Sequence, residues 1–420
     1  MIALVSAGTA GAQNTNFGTG ALPSASASDL YDSAFGFDAL NSPTSGAFNT
    51  ALGADALFSN TTGDDDTAAG VNALLNNTTG VDNTASGAGA LASNTTGSGN
   101  TAAGVNALLN NTTGVDNTAS GSLALQTSTT GNDDTASGFQ ALFSNTTGAK
   151  NTASGALTLG NNTTGSNNTA SGDSALLTNF TGSNNTASGF EALFNNAAGN
   201  NNTAVGYNAL LNSTGNHNIA LGFNAGVNLT SGNKNVDIGN PGAAAESATI
   251  RIGKEGIQTA TYVAGISGSL VTGEAVMVSN TGQLGVVLSS ARYKRDIHDM
   301  GQSSDNLMKL RPVTFRYKAD PAGTLQYGLV AEEVAKLYPE LVTRGIDGRV
   351  QSVRYTVLTA MLLNELQKQA GENRKLAAAV AELKTNQDSQ RVAFEHRFAT
   401  LEREMASKAG GGQLASAFNR

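Results

Sequence analysis

Small apolar and polar residues recur along the first half of the chain at a fixed interval. Thr50, Thr67, Thr84, Thr101, Thr118, Thr135, Thr152, Thr169, Thr186 and Thr203 each lie seventeen residues from the next. Ser33 extends the series backward, and Ile219 ends it one residue short. The unit reads approximately T-A-S-G-x-x-A-L-x-x-N-T-T-G-x-x-N. A period this regular is the signature of a repeat architecture. Seventeen residues are too few for a helical hairpin, and glycines such as Gly70 and Gly80 suit turns that need positive φ. The pattern predicts a β-solenoid coil of two short strands and two turns. Ala and Leu form an inner ladder, and Asn and Thr form polar ladders at the corners. So thin an apolar ladder is expected to need three chains side by side to cover it.

The array is expected over residues 13–240. The period stops at Gly239-Asn240-Pro241. Residues 241–288 alternate β-branched with small residues, broken by Gly every few positions. Asn280-Thr281-Gly282 is a turn signal between Val276-Met277-Val278 and Leu284-Gly285-Val286-Val287. These short strands read as a β neck, interwoven among three chains or folded as a meander in one.

From residue 289 the pattern becomes that of a mixed domain. Pro312 to Lys318 alternates with period two and predicts a half-buried strand. Ala331 to Tyr338 predicts a helix stopped by Pro339. Glu340-Leu341-Val342 and Val350 to Val353 flank Asp347-Gly348, a hairpin turn signal. A long helix begins near Tyr355. From Leu362 it carries a 4-3 spacing through Leu366, Gln369, Asn373, Leu376, Val380 and Leu383, which predicts a coiled coil with polar residues in its seam. The expected divisions are 289–356 for an α+β core, 357–408 for the helix, and 409–420 for a flexible tail.

Composition narrows the functional classes. Of 420 residues, 50 are Gly, none is Cys or Trp, and 13% are charged, about half the charge of an average globular chain. Residues 1–240 carry two Lys, no Arg and fourteen acids, against 22 basic and 18 acidic residues beyond. The acidic array is a poor match for nucleic acid or an anionic membrane. Without cysteine there is no disulfide framework or thiolate metal site. His217, His298 and His396 lack metal-ligand spacing, and Asp64-Asp65-Asp66 and Asp133-Asp134 read as solvated corners rather than calcium sites. No cofactor, metal or membrane-inserted segment is expected. The first dozen residues, MIALVSAGTAGA, end in an A-x-A pattern, so residues 1–12 read as a clipped signal peptide.

The composition changes abruptly at Leu288-Ser289-Ser290-Ala291-Arg292-Tyr293-Lys294. A serine hydroxyl is a poor nucleophile until a base takes its proton. A lysine can be that base where burial or neighbouring positive charge favours the neutral amine, and Arg292 and Arg295 flank Lys294. Ser289 and Ser290 both lie close enough in sequence to be the nucleophile.

SSARYKRDI (289–297), YGLVAEEVAKLYPELV (327–342) and VRYTVLTAMLLNELQK (353–368) together resemble the intramolecular chaperone domain of phage endosialidases and tail spikes. That resemblance implies a homotrimer and self-cleavage between Leu288 and Ser289, with Ser289 as nucleophile and Lys294 as base. Family members commonly carry Asp where this chain has Ser290, and many carry Arg where it has Val357. The repeats, above all NTAVGYNALLNSTGNHNIALGFNAG (202–226), resemble the head repeats of trimeric autotransporter adhesins (YadA-type) and of tail-fibre-like proteins. The expected architecture is therefore a mainly β trimeric fibre: β-solenoid repeats, a β-prism-like neck, an α+β chaperone domain and a coiled-coil helix. The expected protein is secreted or on the cell surface, where a fibre could bind a host glycan or protein receptor. A virion tail fibre, or a structural filament whose chaperone does not cut, are the alternatives.

Overall fold

The computed structural model describes residues 14–23, 31–42, 44–264, 266, 272–273, 275–279, 281–345 and 347–414, with side chains through 408. The signal-like segment 1–12 and the terminal residues 415–420 lie outside the described residues. The chain divides into two compact units, 1–264 and 265–420.

The first unit is a β-solenoid. Each coil contributes one three-residue strand to a single fifteen-stranded sheet in sequence order. The strands are β1 (Thr15–Phe17), β2 (Ser33–Phe35) and β3 (Thr50–Leu52). Strands β4 (Thr67–Ala69) to β12 (Thr203–Val205) follow at seventeen-residue steps, then β13 (Ile219–Leu221), β14 (Val236–Ile238) and β15 (Ile250–Ile252). All pair in parallel, with like residues opposite: Thr67 faces Thr84, Ala68 faces Ala85 and Ala69 faces Ser86. Strand alternation turns the central Ala inward and its two neighbours outward, and from β3 to β13 the central residue is at most 1% exposed.

The Ala-Leu segment is a turn, not the second strand expected. In the coil that follows β4, Asn72 and Leu74 both have positive φ, 59° and 50°. This left-handed backbone is costly for Leu. It is held because Ala73 and Leu74 are fully buried and their coil is bonded to the next, with Leu74 N–H donating to Ala90 O at 3.0 Å. The Ala and Leu ladders are covered by their own chain. The expectation that three chains must pack to hide them is corrected: the coil closes around them.

Asparagine is what allows that closure. The expected corner ladders of Asn lie inside, at 0–1% exposure. Asn94 Nδ2 donates to Asn77 Oδ1 at 2.8 Å and Asn111 Nδ2 to Asn94 Oδ1 at 2.9 Å. A second column satisfies backbone groups, with Asn100 N–H donating to Asn83 Oδ1 at 3.1 Å. Buried amides are tolerated because their Nδ2 groups donate along the column. Threonine stays at the corner, where Thr78 Oγ1 donates to Thr95 O at 2.9 Å.

The two glycine columns serve different ends. Gly70 has φ +147°, and a Cβ there would lie 2.5 Å from Gly87 O. Gly80 is not left-handed, but its Cβ would lie 2.2 Å from Gly97 O. The requirement at Gly80 is close approach, not positive φ.

The parallel sheet does not stop at residue 240. Strand β14 pairs with β15, Val236 opposite Ile250. The coil has shortened to fourteen residues, and Asp237 and Arg251 take the inward Ala positions. Arg251 is held by Glu246 at 2.7 Å.

In the second unit, β16 (Met277–Val278) pairs antiparallel with β17 (Leu284–Gly285), as the turn signal at 280–282 predicts. The expected strand around Pro312–Lys318 forms as β18 (Val313–Phe315), antiparallel to β19 (Gln326–Gly328). Helix α1 (Ala331–Leu337) precedes the hairpin of β20 (Val342–Arg344) and β21 (Val350–Val353). Helix α2 spans Tyr355–Leu414. It therefore runs into residues 409–414, which were read as tail.

Candidate active site

The three motifs of the second unit converge unequally. Tyr338, Leu341 and Val342 from the second motif pack with Val353, Leu358 and Met361 from the third, around Val334 and Leu307. A polar knot ties the segment after the junction to α2. Asn364 Nδ2 donates to Ser304 Oγ at 2.7 Å, Ser304 Oγ donates to Glu365 Oε2 at 3.0 Å, and Lys368 pairs with Asp305. Ser304 is fully buried, so this knot anchors the strand of chain that leads back to the junction.

The junction is a single turn of 3-10 helix, Ala291–Tyr293. Ser290 caps it in an extended conformation (φ −62°, ψ 142°), with its side chain making no capping bond. Tyr293 N–H donates to Ser290 O and Lys294 N–H to Ala291 O, each at 3.0 Å. Five residues of extended chain would span about 17 Å. The turn shortens this enough for Lys294 Nζ to donate to Ser289 Oγ at 3.1 Å.

The contact has the distance a proton transfer needs. For Ser289 to act as nucleophile the hydrogen bond must reverse, with a neutral amine accepting from the hydroxyl. Leu288, Ser289, Ser290 and Lys294 are all exposed in the single chain. The flanking arginines are engaged elsewhere: Arg292 Cζ sits 4.9 Å over the Tyr293 ring, and Arg295 faces Asp296 at 3.8 Å. His298 is exposed and none of the hydrogen bonds at the junction reaches it.

Residues 289–343 match the family model described as chaperone of endosialidase (Peptidase_S74). This segment is a chaperone-of-endosialidase domain. The match begins on Ser289, the residue paired with Lys294. It ends before the third motif, which the structure nonetheless places in the chaperone core through Val353, Leu358 and Met361. No curated protein matches the chain.

Of the aspartates read as solvated corners, two are buried. Asp64, Asp65 and Asp133 are exposed, but Asp66 and Asp134 are fully buried in the inner Asn column. Asp66 accepts from Asn83 N–H at 2.9 Å and from Asn77 Nδ2 at 2.8 Å. Asp134 accepts from Asn151 N–H at 2.8 Å and from Asn145 Nδ2 at 2.9 Å. Burial pushes both carboxyls up to about 7, against the opposing pull of these hydrogen bonds. The signal for them was their register, since Asp66 and Asp134 fall on the column that is Asn at residues 49, 83, 100, 117 and 151. Among the described residues, no group of three or more acidic or histidine side chains is placed to hold a metal ion.

Proposed function

We propose that this protein is a homotrimeric fibre whose chaperone domain gathers three chains, promotes their folding, and then cuts itself off between Leu288 and Ser289. The observation that carries the reading is the 3.1 Å contact of Lys294 Nζ with Ser289 Oγ at the first residue of a chaperone-of-endosialidase domain.

The chemistry balances without a cofactor. Lys294, as a neutral amine, takes the Ser289 hydroxyl proton while Oγ bonds to the Leu288 carbonyl carbon. The tetrahedral centre collapses by breaking the C–N bond of the Leu288–Ser289 peptide, and the proton on Lys294 passes to the departing Ser289 nitrogen. An ester then joins the Leu288 carbonyl to Ser289 Oγ. Water hydrolyses it, leaving a Leu288 carboxylate and a free Ser289 amine. The hydrogen bond of the Lys294 ammonium goes to Ser289, which favours Ser289 as the nucleophile.

The exposed junction gives this chemistry a natural trigger. An ammonium in water is a poor base, and the protein must desolvate it to make it a good one. The single chain supplies no cover at Lys294, so the cover has to come from assembly. Cleavage that waits for assembly would release the chaperone only from fibres already in register. The fibre left behind could not readily refold, and its persistence would be kinetic.

The 4-3 seam of α2 supports the gathering role, since Leu362, Leu366, Leu376, Val380 and Leu383 are all exposed in the single chain. We place the fibre outside the cell, secreted or at the surface, where a repeat array could present receptor contacts. The test is to express the full chain and identify its fragments. A C-terminal fragment beginning at Ser289, lost in Ser289→Ala while the native mass stays trimeric, supports the reading. Full-length chain alone counts against it.

A further inference from the structure

The outward face of the solenoid sheet changes character along its length. From β4 to β11 (Thr186–Ser188) its two outward columns hold only Thr, Ser and Ala. Hydroxyl and methyl groups of this kind are content in water, and single exposed residues beside them, such as Val105 and Phe139, need no partner. At β13, β14 and β15 both columns turn apolar together: Ile219 and Leu221, Val236 and Ile238, Ile250 and Ile252. Ile250 and Ile252 are 70% and 71% exposed. In the coils that follow β11, β12 and β13, the rings of Phe190, Tyr207 and Phe223 stack at 5.3 Å centroid spacing. At the opposite end only one column is apolar, through Phe17, Phe35 and Leu52, while Thr15, Ser33 and Thr50 stay polar.

A folded chain seldom leaves such a face uncovered. Its position in the sequence indicates the occupant. The uncovered apolar surface does not stop at Ile252. Ile257, Tyr262 and Val263 of the same unit are also exposed, and in the second unit, taken by itself, Val278 and Leu284 of the β16–β17 hairpin are exposed. A two-stranded hairpin with no covered face is not stable by itself. Beyond it lies the exposed seam of α2, whose spacing calls for another helix of the same kind. No strand residue of β13 is charged, and the only charged side chains of β14 and β15, Asp237 and Arg251, occupy the inward register. Two such faces can therefore meet without burying a charge.

We propose that copies of this chain meet along the β13–β15 sheet face, and that coils β4 to β11 do not touch their counterparts. The occupant of the face is a second copy. This rests on the oligomeric reading above and sharpens it. The fibre is joined from about residue 219 onward, and each chain's central coils stand as a self-contained solenoid in solvent. The fully buried Ala and Leu ladders make that independence affordable, because no core residue of β4 to β11 waits for a neighbour.

The chain has no cysteine, so single cysteines report contacts cleanly. Leu221→Cys, Ile238→Cys and, on the central coils, Ser137→Cys place thiols on exposed outward positions. Each full-length variant is treated with a short, flexible bis-maleimide, and its native mass is measured in parallel. The expected result is an oligomer in all three, with chain-to-chain cross-links at 221 or 238 in most of the molecules and at least tenfold less at 137. Equal cross-linking at 137 overturns the proposal, since the central coils would then lie against one another. An oligomer without cross-links at 221 and 238 also overturns it, while leaving the trimeric reading intact. A monomeric mass in the unmodified protein overturns both.

Discussion

Lys294 Nζ lies 3.1 Å from Ser289 Oγ, and neither side chain is shielded from water in the single chain. The 3-10 turn between them brings the two side chains within hydrogen-bond distance, and on the proposed mechanism the environment that would make the amine a base is left to other copies. In the proposed mechanism a local turn and a contact between copies divide the work of this pair.

Removing either member separates chemistry from folding. Ser289→Ala and Lys294→Met should each slow the cut by at least about a hundredfold, the lower range for a positioned base. Native mass should be unchanged, because neither side chain packs in the chaperone core. Ser290→Ala should cut within a few-fold of the natural chain. Gel analysis of timed samples measures all three, and a Ser290→Ala variant that no longer cuts would move the nucleophile to Ser290.

The buried carboxyls make the solenoid pH-sensitive. Asp66 and Asp134 hold a proton up to about pH 7 when folded, against 3.8 for an ordinary aspartate carboxyl. The folded state therefore binds more protons between those values. Stability is full below about pH 4, falls as the pH rises toward 7, and levels off above. The fall is on the order of 4 kcal/mol per site from the size of the shift. At equivalent places Asn83 and Asn100 donate Nδ2 to Gly97 O and Gly114 O at 3.0 and 2.9 Å, a bond an ionised carboxylate cannot offer. The Asp66→Asn, Asp134→Asn double variant should flatten the dependence of Tm on pH between 5 and 8. An unchanged slope would show that these carboxyls are not its source.

One break in the Asn ladder invites repair. Ser128 stands where neighbouring coils carry Asn, and its Oγ and Asn111 Oδ1 are both buried without a partner. Ser128→Asn should restore the bond that Asn94 and Asn111 make to their preceding coils. A gain of about 1 kcal/mol, the net worth of one internal hydrogen bond, should appear as a higher Tm. A lower Tm would mean that the coil around Ser128 has closed over the space.

The glycine column after each strand should tolerate nothing larger. At Gly104, φ is +144° and a Cβ would meet Gly121 O at 2.5 Å. Gly104→Ala should cost about 2 kcal/mol or more, read as a fall in Tm. A variant as stable as the natural chain would contradict the close stacking of coils.

The period, the inward Ala and the junction were legible because each depends on local alternation or on one short motif. The strands fall on T-A-S, where a buried Ala sits between exposed neighbours. The position of Asn was not legible, because a buried amide is stable only if the next coil presents its partner, as Asn77 does for Asn94. The left-handed Leu74 was hidden for a similar reason: bonds to adjacent coils override the preference of the residue itself. Ile250–Ile252 reads as a strand of the neck, and its place in the solenoid sheet was hidden because a fourteen-residue step and the Asp237–Arg251 substitution erase the period just where that sheet ends. In the candidate site the Ser–Lys spacing was readable, but the exposure of both side chains was not.

The most direct test of self-cleavage on assembly is the N-terminal sequence and mass of any C-terminal fragment, followed in time beside the native mass. The account predicts a fragment beginning at Ser289 that appears only after the trimer forms. A fragment beginning elsewhere, or one released from monomeric chain, would contradict it.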